Sequence, residues 1–193
     1  MKTIAFDEIL SLGDYGRVRE RLRPLFIHEK ERRRLHVGSH LTLLFENAQT
    51  AWYQIEEMIR AEKMTEREAI EHEIDTYNDL LPAAGEIAAT LLIEYAEAQE
   101  RDAALIRLVG LERHLWLRAG AQRIAARFDD RQMSEERMSA VQFVRFRLEG
   151  VDAAQFIELA GKGEVEVEAD HPSLAARGAI GGLLAASLAE DLR

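Results

Sequence analysis

Strict alternation of apolar and polar positions recurs along this chain. Over 37–46, Val37, Ser39, Leu41, Leu43 and Phe45 share one side while Gly38, His40, Thr42, Leu44 and Glu46 share the other, the period of two that predicts a half-buried strand. The run 86–95 repeats it, with Ile87, Ala89, Leu91, Ile93 and Tyr95 set against Glu86, Thr90 and Glu94. Val165 and Val167 alternate with Glu164, Glu166 and Glu168, which predicts an edge strand. Segments 112–119 and 122–128, joined through Ala119-Gly120-Ala121, read as a hairpin. The stretch 140–148 reads as a sixth strand on its Val and Phe content, although Val141, Val144, Arg145 and Leu148 also fit helical spacing.

Helical spacing fills the intervals. Thr65-Glu66-Arg67-Glu68 has the form of a capping box, followed by an apolar stripe of Ile70, Ile74, Tyr77 and Leu81 and stopped at Pro82. A helix over 49–63 buries Trp52, Ile55 and Ile59. Helices over 99–109 and 152–160 each end in a glycine, Gly110 and Gly161, suited to a left-handed terminal position. Residues 16–34 and 180–192 read as helical too. The expectation is a single α+β domain over 1–193, a mostly antiparallel sheet of about five to six strands layered with helices, with a helical segment of about 1–34 packed on it. Its core should join Leu41, Leu43, Phe45, Ile87, Leu91 and Ile93 to Ile70 and Ile74.

Composition narrows the function classes. A length of 193 residues suits one domain, and an absence of cysteine excludes disulfides, thiolate nucleophiles and cysteine-ligated zinc or iron–sulfur clusters. The longest apolar stretches, such as 87–93 and 180–186, fall short of the ~18 residues a membrane span needs, and acids interrupt the first residues where a signal peptide would be apolar. A cytoplasmic protein with no membrane partner is expected. Net charge is -10, unevenly spread: residues 1–34 hold nine Lys and Arg against six Asp and Glu, an excess of three, which leaves -13 on the remainder. Arg17 to Arg34 carries eight basic residues and could touch a phosphate backbone, but Val18, Leu22, Leu25 and Phe26 thread through it at helical spacing. A packed helix with a solvated basic face is the simpler reading, and the acidic bulk repels nucleic acid.

The segments Val37 to Asn47, Tyr53 to Met58, Asp75-Thr76-Tyr77-Asn78, Ser139 to Phe146 and Asp170-His171-Pro172 together resemble a bacterial family known only as domain of unknown function 3501. The resemblance spans nearly the whole chain. It implies no catalytic residues, because the family carries no assigned activity. Its members are often encoded near rubrerythrin-like and iron–sulfur proteins, so it implies a redox or oxidative-stress setting by association alone.

Two constellations could carry chemistry. Glu68, His72 and Asp75 project from one side of a helix at a spacing compatible with a metal site, yet that side lies opposite the apolar stripe, where a solvated charged face is the commoner outcome. The second is a polar sheet face on which His40, Thr42, Glu46, Thr90, Glu94, His114, Trp116, Arg118, Arg123 and Arg127 could form a pocket for a small anionic or zwitterionic ligand. A solvated or dimer-forming face with cross-strand ion pairs is the plain alternative. Asp170-His171 before Pro172 reads as a turn after a strand, and no P-loop or dinucleotide fingerprint is present.

These readings lead to a non-enzymatic accessory or small-ligand-binding protein, homodimeric and working beside a rubrerythrin-like or iron–sulfur redox partner, with no cofactor. The candidate ligand residues are His40, Glu46, Asn47, Glu57, Tyr77, Asn78 and His114. The rival is a metal-dependent enzyme using carboxylate and histidine ligands, with a transition metal as cofactor. Nucleic-acid binding through the basic N-terminal helix comes third.

Overall fold

A computed structural model describes residues 3–132 and 134–192. The chain is α+β, and the strands among the described residues all pair antiparallel, where the order of elements predicted a mostly antiparallel sheet. Among the described residues there are nine short strands in two sheets rather than five or six in one. The first sheet runs β1 (Arg34–Val37), β2 (Leu41–Phe45), β3 (Glu86–Ile93), β7 (Val141–Arg147), β6 (Arg127–Phe128). The second runs β5 (Gln122–Ala125), β4 (Leu115–Ala119), β8 (Val165–His171), β9 (Leu174–Ala179).

The expected single strand over 37–46 is a hairpin. Gly38, at φ 65°, turns the chain, and Val37 pairs directly with Leu41. Residues paired opposite one another share a face, so the odd positions stay in phase across the turn and the alternation continues unbroken. The expected second strand of the 112–128 hairpin also divides. Beyond the turn at Gly120, β5 pairs with β4, the chain passes through buried Ala126, and β6 pairs with β7 of the other sheet. At the opposite margin β1 lies against β9, where a Cβ on Gly178 would come 2.6 Å from the His36 carbonyl oxygen. The strands therefore run round a shared interior. The glutamate-rich strand is not an edge: β8 lies between β4 and β9.

The inner faces of both sheets share one apolar core, including Leu41, Leu43, Phe45, Ile87, Leu91, Ile93, Leu117 and Val167. Three helices join it: α4 (Ala98–Arg107), α5 (Ala153–Gly161) and α6 (Gly182–Asp191). Ile70 and Ile74 belong elsewhere. They pack with Ile4, Ala51, Ile55 and Ile59 in a second, helical core formed by α2 (Ala48–Glu62), α3 (Arg67–Asn78) and the N-terminal residues. The expected capping box at Thr65 does not form. Helix α3 begins one residue later, after Glu66, and the Thr65 hydroxyl faces the Glu66 carboxylate at 3.4 Å. Capping boxes occur instead at Asn47 and Thr50, and at Asp152 and Gln155. The left-handed glycine beyond α5 is Gly163, at φ 73°, not Gly161.

The first helix, α1 (Leu12–Arg32), leads directly into Arg33, which is not part of a solvated basic face. Its guanidinium, 1% exposed, donates to the carbonyls of Phe45, Glu46 and Ser187, to the Ser187 hydroxyl and to Asp191. It locks the end of α1 to the end of β2 and to α6. Burial raises the Asp191 carboxyl above its ordinary range, while Arg33 pulls the other way. No helix among the described residues is long and apolar enough to cross a membrane.

Candidate functional site

The predicted polar sheet face divides between two sheets. On the outer face of the β4–β5–β8–β9 sheet, Arg118, Arg123 and Arg177 interleave with Glu166, Glu168 and Asp170. His114 lies here, its Nδ1 3.0 Å from Asp170, which also accepts from the Trp116 indole and pairs with Arg123. These partners, Arg123 first and then Trp116 and His114, hold Asp170 down at about 2. Each of the three acids and three arginines already has an opposite charge, the cross-strand ion ladder that the sequence allowed as the plain alternative.

The outer face of the other sheet differs. Glu46, just beyond β2, is 4% exposed, and its carboxylate accepts hydrogen bonds from Thr90 Oγ1 at 2.7 Å, Thr50 Oγ1 at 2.6 Å and Gln54 Nε2 at 3.2 Å. All three donors are neutral, and no basic side chain pairs with Glu46 among the described residues. Residues 46, 50 and 54 recur every four positions, so once Asn47 caps α2 they fall along one line of the helix start. Glu46 forms the floor of a cleft of 180 Å³ whose walls include Leu44, Leu92 and Lys30. The Lys30 ammonium stands 5.6 Å from the centre of the Tyr53 ring and pairs with no carboxylate among the described residues. Past Gln54 and Thr90 a second cleft of 570 Å³ continues the groove, with Tyr77, Leu80, Val141 and Phe143 as its apolar lining and Glu73, Asp75, Asp79 and Arg131 among its charges. Burial, then the nearby Glu62, raises Glu73 above the ordinary carboxyl range, and burial and the charges of Glu73 and Glu46 raise the Tyr77 phenol.

Of the sequence candidates, the groove thus brings together Glu46 and Tyr77. His40 lies in the β1–β2 turn at the far end of β2, stacked 4.0 Å from Tyr95 with its Nδ1 3.1 Å from the Glu94 carbonyl. Asn47 caps α2 and donates to Glu29. Asn78 clamps the N-terminal segment through both hydrogen bonds to Ile4. Glu57 joins α2 to α1: Arg19 binds it twice and the Tyr15 hydroxyl donates at 2.6 Å, so its carboxyl is held down at about 2 despite partial burial. Glu68, His72 and Asp75 are all exposed on α3, and no three His, Asp or Glu side chains among the described residues converge as metal ligands. Lys30 and Gln54 were missed. The four-residue spacing of Glu46, Thr50 and Gln54 was the available signal for the second, whereas Lys30 is indistinguishable in sequence from the other bases of α1.

A family model described as "Protein of unknown function (DUF3501)" matches residues 3–192. No curated protein matches the chain. A crystal structure titled as a novel protein of unknown function from Burkholderia pseudomallei K96243 is similar over 100% of both chains, at 36% identity and a TM-score of 0.88. The chain belongs to the DUF3501 family.

Proposed function

We propose that this chain is a non-enzymatic binding protein for a small zwitterion with an apolar side chain, of the α-amino acid type, held in the groove over the β2–β3–β7 face. One observation carries the reading: Glu46 and Lys30 line the same cleft, and neither is neutralised by a side chain among the described residues. A buried carboxylate with only neutral hydrogen-bond donors favours an incoming ammonium, and an ammonium at the cleft wall favours an incoming carboxylate. Leu44 and Leu92 flank them, and the adjoining cleft with Tyr77 and Phe143 extends the space for an apolar side chain. In the redox setting implied by family resemblance, such a binder would serve as an accessory to a rubrerythrin-like or iron–sulfur partner.

The test is calorimetric titration of the full chain with leucine, methionine and phenylalanine, alongside phenethylamine and 3-phenylpropionate. The zwitterions should bind more tightly than either singly charged analogue. Glu46→Gln and Lys30→Met should each weaken them, and Arg32→Ala should not. Binding that survives both cleft substitutions, or no binding by any of the three amino acids, overturns the proposal.

A further inference from the structure

A recess of 440 Å³ lies between the N-terminal residues, α1 and α2, and shares no lining residue with the groove just described. Its walls are largely apolar: Ile4 from the N-terminal residues, Leu22 and Phe26 from α1, and Trp52 from α2. They are held in place by the protein's own contacts. Both backbone groups of Ile4 are bound by the Asn78 side chain, the Trp52 indole donates to the Glu8 carbonyl at 2.9 Å, and the Trp52 ring packs on Phe26 at 5.5 Å and edge-on to Tyr15 at 6.3 Å. The recess is therefore a preformed hole. On its rim stands Leu25, 64% exposed, a large apolar side chain that its own chain leaves in water.

The charges around it are one-sided. The carboxylates at the lining are Glu8 and Glu29, and no base lines the recess among the described residues. Along α1 every acid has a basic partner: Asp14 with Arg17, Glu20 with Arg19, Glu29 with Arg32 and Glu31 with Arg34. Arg21, one turn before Leu25, is exposed and has no acidic partner among the described residues. The hole thus fits an apolar knob with a cation one helical turn away, and α1 itself presents that pair. Leu25 cannot enter the recess whose rim it forms, but the Leu25 of another copy can. A two-fold contact sets the same patch on both sides, so a surface that carries knob and hole together is complementary to itself. We infer that this chain forms a two-fold dimer through α1, with Leu25 of each copy seated in the recess of the other and Arg21 beside the other's acidic rim. The seat removes Leu25 and the Trp52 wall from water together, which supplies the central apolar anchor that such an interface needs.

Sedimentation equilibrium of the full chain across a dilution series is the test. Wild type should weigh twice its 21.9 kDa at the concentrated end and dissociate on dilution. Leu25→Asp should stay at 21.9 kDa throughout with an unchanged circular dichroism spectrum, because the residue is exposed in a single copy. Leu25→Ala and Arg21→Glu should each weaken the dimer about tenfold or more. Leu183→Asp, at a more exposed apolar position on α6, should leave it unchanged. In a Trp116→Phe background, where Trp52 is the sole remaining indole, emission should move to shorter wavelength as the dimer forms. A wild type that stays monomeric at every concentration overturns the inference and leaves the recess to a different partner. A dimer that survives Leu25→Asp, or one that forms with no change in Trp52 emission, overturns it equally.

Discussion

Replacing Glu56 by glutamine removes a titratable group from the helical core without changing its shape. Glu56 is 1% exposed on α2, its Oε1 accepts from the Leu10 backbone N–H at 2.7 Å, and its Oε2 has no partner among the described residues. Burial is the dominant influence, only partly opposed by the Leu10 hydrogen bond, and pushes the carboxyl from its ordinary 4.5 up to about 7. The direction of the linkage follows. Between pH 4.5 and 7 the folded chain holds a proton that the unfolded chain releases, so the contribution to stability is complete below 4.5 and is lost as pH rises through 7. A difference of 2.5 pH units corresponds to at most about 3 kcal/mol. Glutamine retains an acceptor for Leu10 and never ionises. Urea denaturation from pH 4.5 to 8.5 should show wild type and Glu56→Gln close together at the acid end and the variant more stable by up to about 3 kcal/mol at the alkaline end. Taking the difference between the two proteins cancels the parallel titrations of Glu73 and Asp191. A difference independent of pH, or a variant less stable than wild type at pH 8, would refute the reasoning.

Three further outcomes follow from packing. Arg33→Met leaves Asp191 and three backbone carbonyls without their donor and should cost ~3–5 kcal/mol in urea denaturation, whereas Arg32→Ala, on the half-buried flank of α1, should cost less than ~1 kcal/mol. Gly178→Ala sets a methyl 2.6 Å from the His36 carbonyl, which backbone cannot readily yield, and should lower stability by ~1–3 kcal/mol with a matching fall in melting temperature. Leu43→Ala and Leu91→Ala, each wholly buried between the sheets, should cost ~2–5 kcal/mol; an unchanged denaturation midpoint in either would contradict the assigned inner faces.

The strands that were legible in the sequence are those with one apolar and one polar face, such as β3. The strand β9 escaped notice because Leu174-Ala-Ala-Arg-Gly-Ala179 has little of the β-branched bulk that marks a strand, and the reason is local: β1 passes so close at Gly178 that a larger residue has no room. The reading of β8 as an edge treated its glutamates as solvent-facing charges. They do face outward, but Arg118 and Arg177 on the two neighbouring strands, and Arg123 on β5 beyond β4, meet them there. Glu56 and Glu57 show what pattern alone withholds. They are adjacent and chemically identical, yet helix phase turns one into the apolar core and the other toward Arg19 and Tyr15, and their carboxyls shift in opposite directions. That outcome depends on where α1 and the N-terminal segment come to rest, which periodicity does not encode.

The proposed groove inherits its geometry from a residue that touches no ligand. Arg33 follows the last turn of α1, three residues after Lys30, and its Nη2 holds the carbonyl of Glu46 at 3.1 Å. The same guanidinium binds Phe45 at the end of β2 and both Ser187 and Asp191 on α6. One buried cation therefore fixes the spacing between the helix that carries Lys30 and the strand end that carries Glu46, and α6 in turn fixes the cation. Because all of its partners but Asp191 and the Ser187 hydroxyl are backbone carbonyls, the arrangement constrains main chain rather than side chains, which is what a site with two separated opposite charges requires. The basic run Arg17 to Arg34 thus contains, in Arg33, the residue that fixes the end of β2, and in Lys30 one of the two charged contacts proposed for the groove.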